Sequence, residues 1–334
     1  MSLDNSLQLA RQFIQTALSH LPEPAQHALQ TPLAQKTITG LVALGLLRQI
    51  NSSLSHWSLN NWQRALPWKG DKELVLITGG SSGIGKQIVE DLSKAGVRVV
   101  ILDIQDPSFK LPSNVTFYKT DITNSAAIKT VADQIRANQG EPTVIVNNAG
   151  VGYDGTILDE PEAKIRLTFE VNTMAHFWTV REFLPNMIKN NHGHIITVAS
   201  MASFVSLGEM ADYSCSKASA LAFHEVLNQE LRHWYDARKV RTSIIHPLWV
   251  RTPMIQQLSD AGKDFKQPIM TPELVSNAVV KQILTQSSGQ VILPAMNSSY
   301  SLVRAFPSWM QEGVRGIGSG ILKHMRNAQP DAHL

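Results

Sequence analysis

The chain contains 334 residues, of which 43% are hydrophobic and 17% are charged. This balance excludes a disordered chain, and the length allows one large α/β domain with extensions or two small domains. A formal net charge of +3 is too small to indicate that the protein binds nucleic acid. Cys215 is the only cysteine, which excludes an intrachain disulfide. A reducing compartment is therefore favoured, and we expect a cytoplasmic protein.

Residues 1–72 are predicted to form a helical N-terminal extension. Apolar residues recur at helical spacing from residue 7 to residue 18, and Pro22 ends this pattern. Thr31 followed by Pro32 is typical of an N-cap with proline at the first helical position, and it predicts a second helix. A polar linker with three tryptophans is expected next: Trp57, Trp62 and Trp68.

Residues 73–300 alternate between strand and helix patterns. The predicted strands are short runs rich in apolar and β-branched residues: 74–78, 97–103, 115–118, 143–146, 194–198, 240–245 and 290–293. Apolar strands that alternate with helices predict a parallel sheet covered on both faces. The expected fold is therefore α/β, with a doubly wound parallel sheet of the Rossmann type in a single domain. Residues 301–334 form a predicted amphipathic C-terminal tail.

The first predicted strand leads directly into a glycine-rich segment, TGGSSGIG, at residues 78–85. Glycines let the backbone approach a pyrophosphate, and the positive end of the following helix favours the negative charge of that group. We therefore expect a dinucleotide site formed by Gly79, Ser81, Ser82, Gly83, Ile84 and Gly85.

Asp103 ends the second predicted strand, some distance past the glycines. A carboxylate about twenty residues after such a loop can accept hydrogen bonds from ribose hydroxyls, and it would repel a 2′-phosphate. Asp103 therefore favours NAD(H) over NADP(H) as the cofactor. NADP(H) stays the alternative if Lys86 or a nearby basic group admits the phosphate.

Tyr213 and Lys217 are four residues apart, which places them on one face of a predicted helix. The ordinary pKa of tyrosine is about 10, and a nearby ammonium favours the phenolate. We expect Lys217 to lower the pKa of Tyr213, so that the phenol can exchange a proton near neutral pH. Ser200 follows the fifth predicted strand, thirteen residues before Tyr213, and its hydroxyl can orient a substrate oxygen.

The TGxxxGxG glycine spacing, the sequence NNAG at residues 147–150 and the YxxxK pair occur in one order along the chain. In this the chain resembles the short-chain dehydrogenase/reductase family, over about residues 73–295. Within that family, the sequence looks closest to fungal-type relatives of the membrane-associated hydroxysteroid and retinol dehydrogenases.

The resemblance implies roles for individual residues. Ser200, Tyr213 and Lys217 would be catalytic, and Asn172 would hold a water that links Lys217 to solvent. The implied cofactor contacts are Asp121, Ile122, Asn148, Tyr213, Lys217, Val250 and Thr252. Leu248 stands where the PGxVxT pattern of the family usually has glycine, which leaves the local backbone geometry open.

These features predict an oxidoreductase that moves a hydride between NAD(H) and an alcohol or carbonyl carbon, with Tyr213 as the acid or base. Apolar residues between positions 254 and 270 indicate a lipophilic substrate, although they could equally face the protein interior. One alternative is an NADPH-dependent carbonyl reductase of the same fold. The other is a non-catalytic dinucleotide-binding scaffold at a membrane. No histidine spacing typical of a metal site occurs, so no metal is expected.

The N-terminal extension and the C-terminal tail are apolar with basic flanks. The longest apolar run, residues 37–47, is shorter than the roughly 20 residues that a membrane-spanning helix needs. The extensions could lie peripherally on the ER membrane or on a lipid droplet, or they could pack against the core or a second subunit. A homo-oligomer is expected by analogy with the family.

Overall fold

The computed structural model describes residues 22–70, 72–256 and 267–328, together with Gln12, Thr16 and His20. The chain divides into two compact units, Met1–Ser58 and Leu59–Leu334. Apart from two positions, the first predicted helix, between residues 7 and 18, lies outside the described residues. The division of the chain at residues 72 and 300 stays a prediction.

The first unit contains helix α1 (Glu23–Gln30) and most of helix α2 (Pro32–Leu59). Helix α2 begins as predicted, because the Thr31 hydroxyl oxygen accepts a hydrogen bond from the backbone N–H of Ala34 at 3.3 Å. The helix also includes Trp57, which was expected in the linker. No residue of α2 is buried. Among the described helices, none has the length and apolar content needed to cross a bilayer.

The second unit alternates strands and helices along the chain. The strands are β1 (Leu74–Thr78), β2 (Arg98–Asp103), β3 (Val115–Lys119), β4 (Val144–Asn147), β5 (Gly193–Val198), β6 (Val240–Pro247) and β7 (Gly289–Leu293). The helices are α3 (Gly83–Lys94), α4 (Ser125–Asn138), α5 (Glu162–Phe169), α6 (Ala175–Asn190), α7 (Ala211–His233), α8 (Pro272–Thr285) and α9 (Ser308–Ala328). Shorter turns are a π-helical turn at Glu170–Met174 and 3₁₀ turns at Met201–Ser203, Pro253–Ile255 and Ala295–Ala305.

The seven strands form one parallel sheet in the order β3-β2-β1-β4-β5-β6-β7. In its centre, Leu76 of β1 pairs with Val100 of β2 on one side and with Ile145 of β4 on the other. The chain runs outward in opposite directions from β1 and from β4, so these two strands meet at the topological switch point. In doubly wound sheets, ligands bind in the crevice at the carboxyl ends of the strands at this point. The predicted fold class is confirmed.

Alternating side chains of the central strand pack into two separate core layers. Leu74 and Leu76 belong to the layer covered by α4, α6 and α7, whereas Val75 and Ile77 belong to the layer covered by α3 and α8. Burial of each such side chain contributes about 1.5–3 kcal/mol. Because helices cover both faces of the sheet, the carboxyl ends of the strands are where a ligand can reach it.

Candidate active site

The glycine-rich segment after β1 makes a close backbone turn into α3. Gly79 and Gly83 have φ angles of +68° and +53°, which side chains of L-residues disfavour. A Cβ atom on Gly85 would lie 1.9 Å from the carbonyl oxygen of Gly79, so no larger residue fits there. The side chain of Ser82 precedes α3 without capping its first turn. The N–H groups of this turn are therefore available to an anion, and the segment fits a dinucleotide pyrophosphate.

Asp103, at the end of β2, braces the glycine-rich segment. Its Oδ2 accepts a hydrogen bond from the backbone N–H of Ser81, and its Oδ1 accepts one from that of Gln105, both at 3.0 Å. The buried Ser81 donates its hydroxyl proton to the carbonyl oxygen of Gln105 at 2.7 Å. Ser81 therefore helps to fix the position of the glycine-rich segment.

The loop after β4 is tied to the end of β1 through Asn148 and Thr78. The Nδ2 of Asn148 donates to the carbonyl oxygens of Thr78 and Gly79, at 3.1 and 3.0 Å. The Thr78 hydroxyl oxygen accepts hydrogen bonds from the backbone N–H groups of Asn148 and Ala149, each at 3.1 Å. These bonds fix the shape of the crevice at the switch point.

Asn172 lies in the π-helical turn between α5 and α6 and is fully buried. Its Oδ1 accepts a hydrogen bond from the backbone N–H of Val151 at 2.9 Å. Its Nδ2 donates to the Val151 carbonyl oxygen at 2.8 Å and to the Ser216 hydroxyl at 3.0 Å. The side chain thus joins the loop after β4 to α7. The role of Asn172 in holding a water stays a prediction.

Ser200, Tyr213 and Lys217 meet at the carboxyl end of β5. The Oγ of Ser200 accepts a hydrogen bond from the backbone N–H of Ala202 at 3.1 Å, which leaves its proton for the hydrogen bond with the Tyr213 hydroxyl. Lys217 follows Tyr213 by one turn of α7, and its Nζ lies 5.6 Å from the centre of the Tyr213 ring. The same Nζ donates to the carbonyl oxygen of Val198 at 3.1 Å.

Burial shifts the pKa of both ionisable groups in this cluster. It raises the pKa of the Tyr213 hydroxyl, and the hydrogen bond with Ser200 opposes that rise. It lowers the pKa of the Lys217 ammonium to about 8. The net shift of the Tyr213 pKa is upward because the loss of hydration outweighs the hydrogen bond with Ser200. The expectation that Lys217 lowers the Tyr213 pKa stays a prediction. At neutral pH the pair is a neutral phenol beside an ammonium.

The segment after β6 reaches the glycine-rich segment. Val250 is buried, and the Thr252 side chain lies against the start of α3, since a Cβ atom on Gly83 would be 3.2 Å from Thr252 Cγ2. Leu248, at the usual glycine position, donates its backbone N–H to the carbonyl oxygen of Leu293 at 2.9 Å. Its φ angle is not positive, so the backbone here does not require glycine.

One cavity of about 660 Å³ brings the predicted site residues together. The predicted residues that line it are Gly79, Ser82, Gly83, Ile84, Gly85, Asp103, Asp121, Ile122, Asn148, Ser200, Tyr213, Lys217, Val250 and Thr252. Ser81 and Asn172 are the predicted residues that do not line it. The volume is that of a typical small-molecule site. No group of residues suited to hold a metal ion occurs within the described part of the chain.

Sequence reasoning missed two features of the site. The first is His246 in β6, whose Nδ1 lies 3.1 Å from the carbonyl oxygen of Ser200. The second is a contribution from the C-terminal tail, whose cavity-lining residues are Val314, Ile317, Gly318, Ile321 and Leu322, and from Tyr300 just before it. Helical spacing of the apolar residues was the available signal for the tail, but spacing alone does not reveal what an apolar face covers.

Comparison with known proteins identifies the family. The family model for short chain dehydrogenase matches residues 73–263. Dehydrogenase RED2 of Cochliobolus heterostrophus is 40% identical over 235 residues, which cover 68% of this chain and 88% of that protein. Estradiol 17-beta-dehydrogenase 11 of Homo sapiens is 36% identical over 231 residues, which cover 67% of this chain and 75% of that protein. These relatives confirm the predicted branch.

Solved structures share the fold at low sequence identity. A 3-ketoacyl-(acyl-carrier-protein) reductase from Brucella melitensis, complexed with NADH, has a TM-score of 0.60 and 19% identity, and the match covers 66% of this chain and 96% of that one. The aldohexose dehydrogenase of Thermoplasma acidophilum has a TM-score of 0.58 and 21% identity, with 66% and 92% covered. Together with the family match, the fold and the relatives lead to one conclusion: the chain belongs to the short chain dehydrogenase family and is an oxidoreductase.

Proposed function

We propose that this protein moves a hydride between NAD(H) and the alcohol or carbonyl carbon of a lipophilic substrate, with Tyr213 as the acid or base. One observation carries the proposal: Ser200, Tyr213 and Lys217 line the same cavity as the glycine-rich segment. A proton donor and a dinucleotide site are thus within reach of one bound substrate. Family membership supports the same reaction class.

The residues at the switch point fit a nicotinamide dinucleotide. Gly79, Gly83 and Gly85 permit the close turn into α3, because a Cβ atom on each would lie within 3.2 Å of another protein atom, and Asp103 stands at the end of β2, where a ribose is expected. The NADH in the Brucella reductase supports NAD(H) as the cofactor. When bound, this cofactor supplies the hydride or accepts it. Val250 and Thr252 would hold its nicotinamide end.

Tyr213 would exchange the proton at the substrate oxygen. Its raised pKa keeps the phenol protonated at neutral pH, which is the form that donates to a carbonyl in the reductive direction. Ser200 would donate a hydrogen bond to the same oxygen and orient it. With a pKa of about 8, Lys217 is mostly charged at neutral pH and would stabilise the phenolate left after proton transfer.

Asn172 would act by positioning. Its three hydrogen bonds join the loop at Val151 to α7, the helix that carries Tyr213 and Lys217. In the proposed relay, Asn172 also holds the water that links Lys217 to solvent. The contacts of the side chain are consistent with the first role, and the second depends on the resemblance to the family.

The substrate is proposed to be lipophilic because the lining of the cavity is largely apolar. Its apolar lining residues include Val151, Val171, Met201, Val205, Leu207, Met210, Met254 and Ile255. Binding sites of this kind select apolar ligands with a few polar groups that fix orientation. The name of the human relative, which refers to estradiol, is consistent with a lipophilic alcohol.

We propose that α2 lies peripherally on a membrane of the ER or on a lipid droplet. Its exposed apolar residues are Leu33, Ile38, Leu41, Val42, Leu44, Leu46, Leu47, Ile50 and Leu54. Flotation of the full chain with liposomes tests this location. Leu44→Glu is expected to reduce the floated fraction, and Ser53→Glu on the same helix is the control. Equal flotation of both variants and wild type would argue against contact through α2.

A homodimer through α6 and α7 is also proposed. Phe177 and Val226 are exposed on these helices, and Phe177 packs edge-on against the Phe223 ring with 4.8 Å between ring centres. Exposed apolar residues of this kind are typical of subunit interfaces. Light scattering of wild type and Phe177→Glu tests the proposal, because a charge at the interface should yield monomers.

The central experiment is an alcohol and ketone screen with NADH, NADPH and their oxidised forms. Tyr213→Phe is expected to lower kcat by about 10²–10⁴-fold while cofactor binding persists. Tyr235→Phe, on an exposed tyrosine outside the cavity, is the matched control. Full activity in Tyr213→Phe would remove the proposed acid. A clear preference for NADPH would support the carbonyl reductase alternative, and NADH binding without any turnover would support the scaffold alternative.

A further inference from the structure

The C-terminal helix α9 lies against the segment that connects Ser200 to Tyr213. The hydroxyl oxygen of Ser319 accepts a hydrogen bond from the backbone N–H of Gly208 at 2.9 Å. A Cβ atom on Gly318 would lie 2.6 Å from Cδ2 of Leu207, so the Leu207 side chain packs directly against the backbone of α9. Arg304, in the 3₁₀ turn before α9, also holds this segment. Its Nε donates to the Phe204 carbonyl oxygen at 3.2 Å.

The residues of α9 that line the cavity repeat at helical spacing. They are Val314, Ile317, Gly318, Ile321 and Leu322, and we call them the tail wall. Positions separated by three, four and seven residues form one stripe along a helix. The stripe therefore presents an apolar surface about two turns long to the cavity, next to the segment that connects Ser200 to Tyr213.

The tail wall extends from the protein interior to the solvent. Leu322 is 9% exposed, whereas Ile317 is 72% exposed although it lines the cavity. An apolar side chain that is exposed at a cavity edge gains by contact with an apolar ligand, because that contact removes both surfaces from water. The wall is thus suited to an elongated apolar chain that leads away from the reacting carbon.

We propose that α9 selects substrates by chain length, with Ile317 as the main specificity-determining residue. This inference rests on the proposed function and specifies its substrate as an alcohol or ketone with an extended apolar chain. The reacting oxygen lies at Ser200 and Tyr213, and the chain lies along the tail wall. Short substrates bind through the reacting group alone and gain nothing from α9.

The test compares straight-chain alcohols and ketones of increasing length with purified full-length protein. In wild type, kcat/KM is expected to rise roughly fourfold for each methylene that the wall covers. Ile317→Asp is expected to lower kcat/KM for the longest substrates by at least about tenfold and to leave the shortest within about twofold. Trp309→Asp is the matched control, because Trp309 is 75% exposed on the same helix and does not line the cavity.

A binding measurement without turnover accompanies the kinetics. A long-chain ketone is expected to raise the Tm of wild type and Trp309→Asp more than that of Ile317→Asp. If these three proteins share one chain-length profile while Tyr213→Phe is inactive, the proposed function stands and the role of α9 is disproved. If Tyr213→Phe is fully active, the proposed function itself fails, and the profile of Ile317→Asp still reports on α9.

A second pair of variants changes the shape of the wall without adding charge. In Gly318→Ala the new methyl group would press on Leu207, which also lines the cavity. In Gly316→Ala, two residues earlier on the same helix, the methyl group meets nothing within 4 Å. Gly318→Ala is expected to alter the chain-length profile, and Gly316→Ala is expected to retain the profile of wild type. Identical profiles in both variants would contradict the close contact between α9 and the cavity.

Discussion

The Nδ1 atom of His246, on β6, lies 3.1 Å from the carbonyl oxygen of Ser200, which follows the neighbouring strand β5. A carbonyl oxygen only accepts, so the proton of the neutral imidazole must be on Nδ1. Burial lowers the pKa of His246 to about 4, which keeps the ring neutral at physiological pH. The ring also packs on Phe204, with 4.5 Å between ring centres. His246 is therefore a positioning residue for the backbone of Ser200.

Loss of the donor at His246 is expected to impair turnover more than substrate binding. His246→Phe keeps an aromatic ring against Phe204 but leaves the Ser200 carbonyl without its partner, at a cost of about 1–3 kcal/mol. We expect kcat to fall about tenfold with little change in KM. His246→Asn, which retains an N–H near the position of Nδ1, should recover part of kcat. If His246→Phe lowers only the Tm and both variants turn over equally, the bond has a structural role alone.

Ser200 and Ser203 form a matched pair for testing the proposed catalytic serine. Ser200 lines the cavity, whereas the fully buried Ser203 donates its hydroxyl proton to the carbonyl oxygen of Lys217 at 2.8 Å. Ser200→Ala is expected to lower kcat by about 10²–10³-fold, since a hydrogen bond to the developing charge is lost. Ser203→Ala is expected to lower the free energy of unfolding by about 1 kcal/mol and to affect kcat far less. Steady-state kinetics and urea unfolding of both variants decide this, and equal losses of kcat would refute the assignment.

The carboxylate of Asp103 is expected to set the preference between the two nicotinamide cofactors. Asp103→Ser removes the charge that would repel a 2′-phosphate, and we expect the ratio of the Kd for NADPH to the Kd for NADH to fall by at least about tenfold, or about 1.4 kcal/mol. Asp106→Ser is the control, because Asp106 pairs with Lys119 at 3.0 Å and does not line the cavity. Fluorescence titration with both cofactors measures the ratio. An unchanged ratio in Asp103→Ser would show that another group discriminates.

Much of the fold was predictable because each buried strand is a run of apolar residues that can be recognised in the sequence. The apolar runs at residues 74–78 and 194–198 were assigned to strands, and the structure has buried strands there. The start of α2 at Pro32 was also predicted correctly, because threonine, here Thr31, is a common N-cap residue. The π-helical turn around Asn172 was not predictable, because a single wider turn scarcely alters the spacing of apolar residues.

Features of the site that depend on tertiary contacts were not accessible from the sequence. The cavity gathers most of the predicted residues because strand ends and the YxxxK spacing fix where side chains meet. The net upward shift of the Tyr213 pKa was not predictable, since the charge of Lys217 is evident from sequence and the burial of both groups is not. Likewise, the sequence predicted an amphipathic tail but did not reveal that the apolar face of this tail, which includes Ile317, lines the cavity.

Four buried histidines make the stability of the fold sensitive to acid. Burial lowers the pKa of His176 and of His194 to about 3, and that of His224 and of His246 to about 4, from an ordinary value of 6.5. Because each folded-state pKa lies below the unfolded one, the folded state binds fewer protons, and stability is lost as the pH falls below about 6.5. Each histidine contributes up to about 1.4 kcal/mol per pH unit, and the four together up to about 5.5 kcal/mol per pH unit.

We therefore expect the free energy of unfolding to begin to fall below about pH 7.5, as the histidines of the unfolded chain take up protons, and to fall steeply below about pH 6.5, so that the protein unfolds before pH 4 is reached. Urea titrations at a series of pH values measure this slope. His224→Gln should reduce the slope by about 1.4 kcal/mol per pH unit, because glutamine does not take up a proton. His224 is buried on α7 at a distance in sequence from Tyr213, so the variant tests proton uptake apart from catalysis. An unchanged slope in His224→Gln would mean that the imidazole is hydrated or already charged in the folded protein.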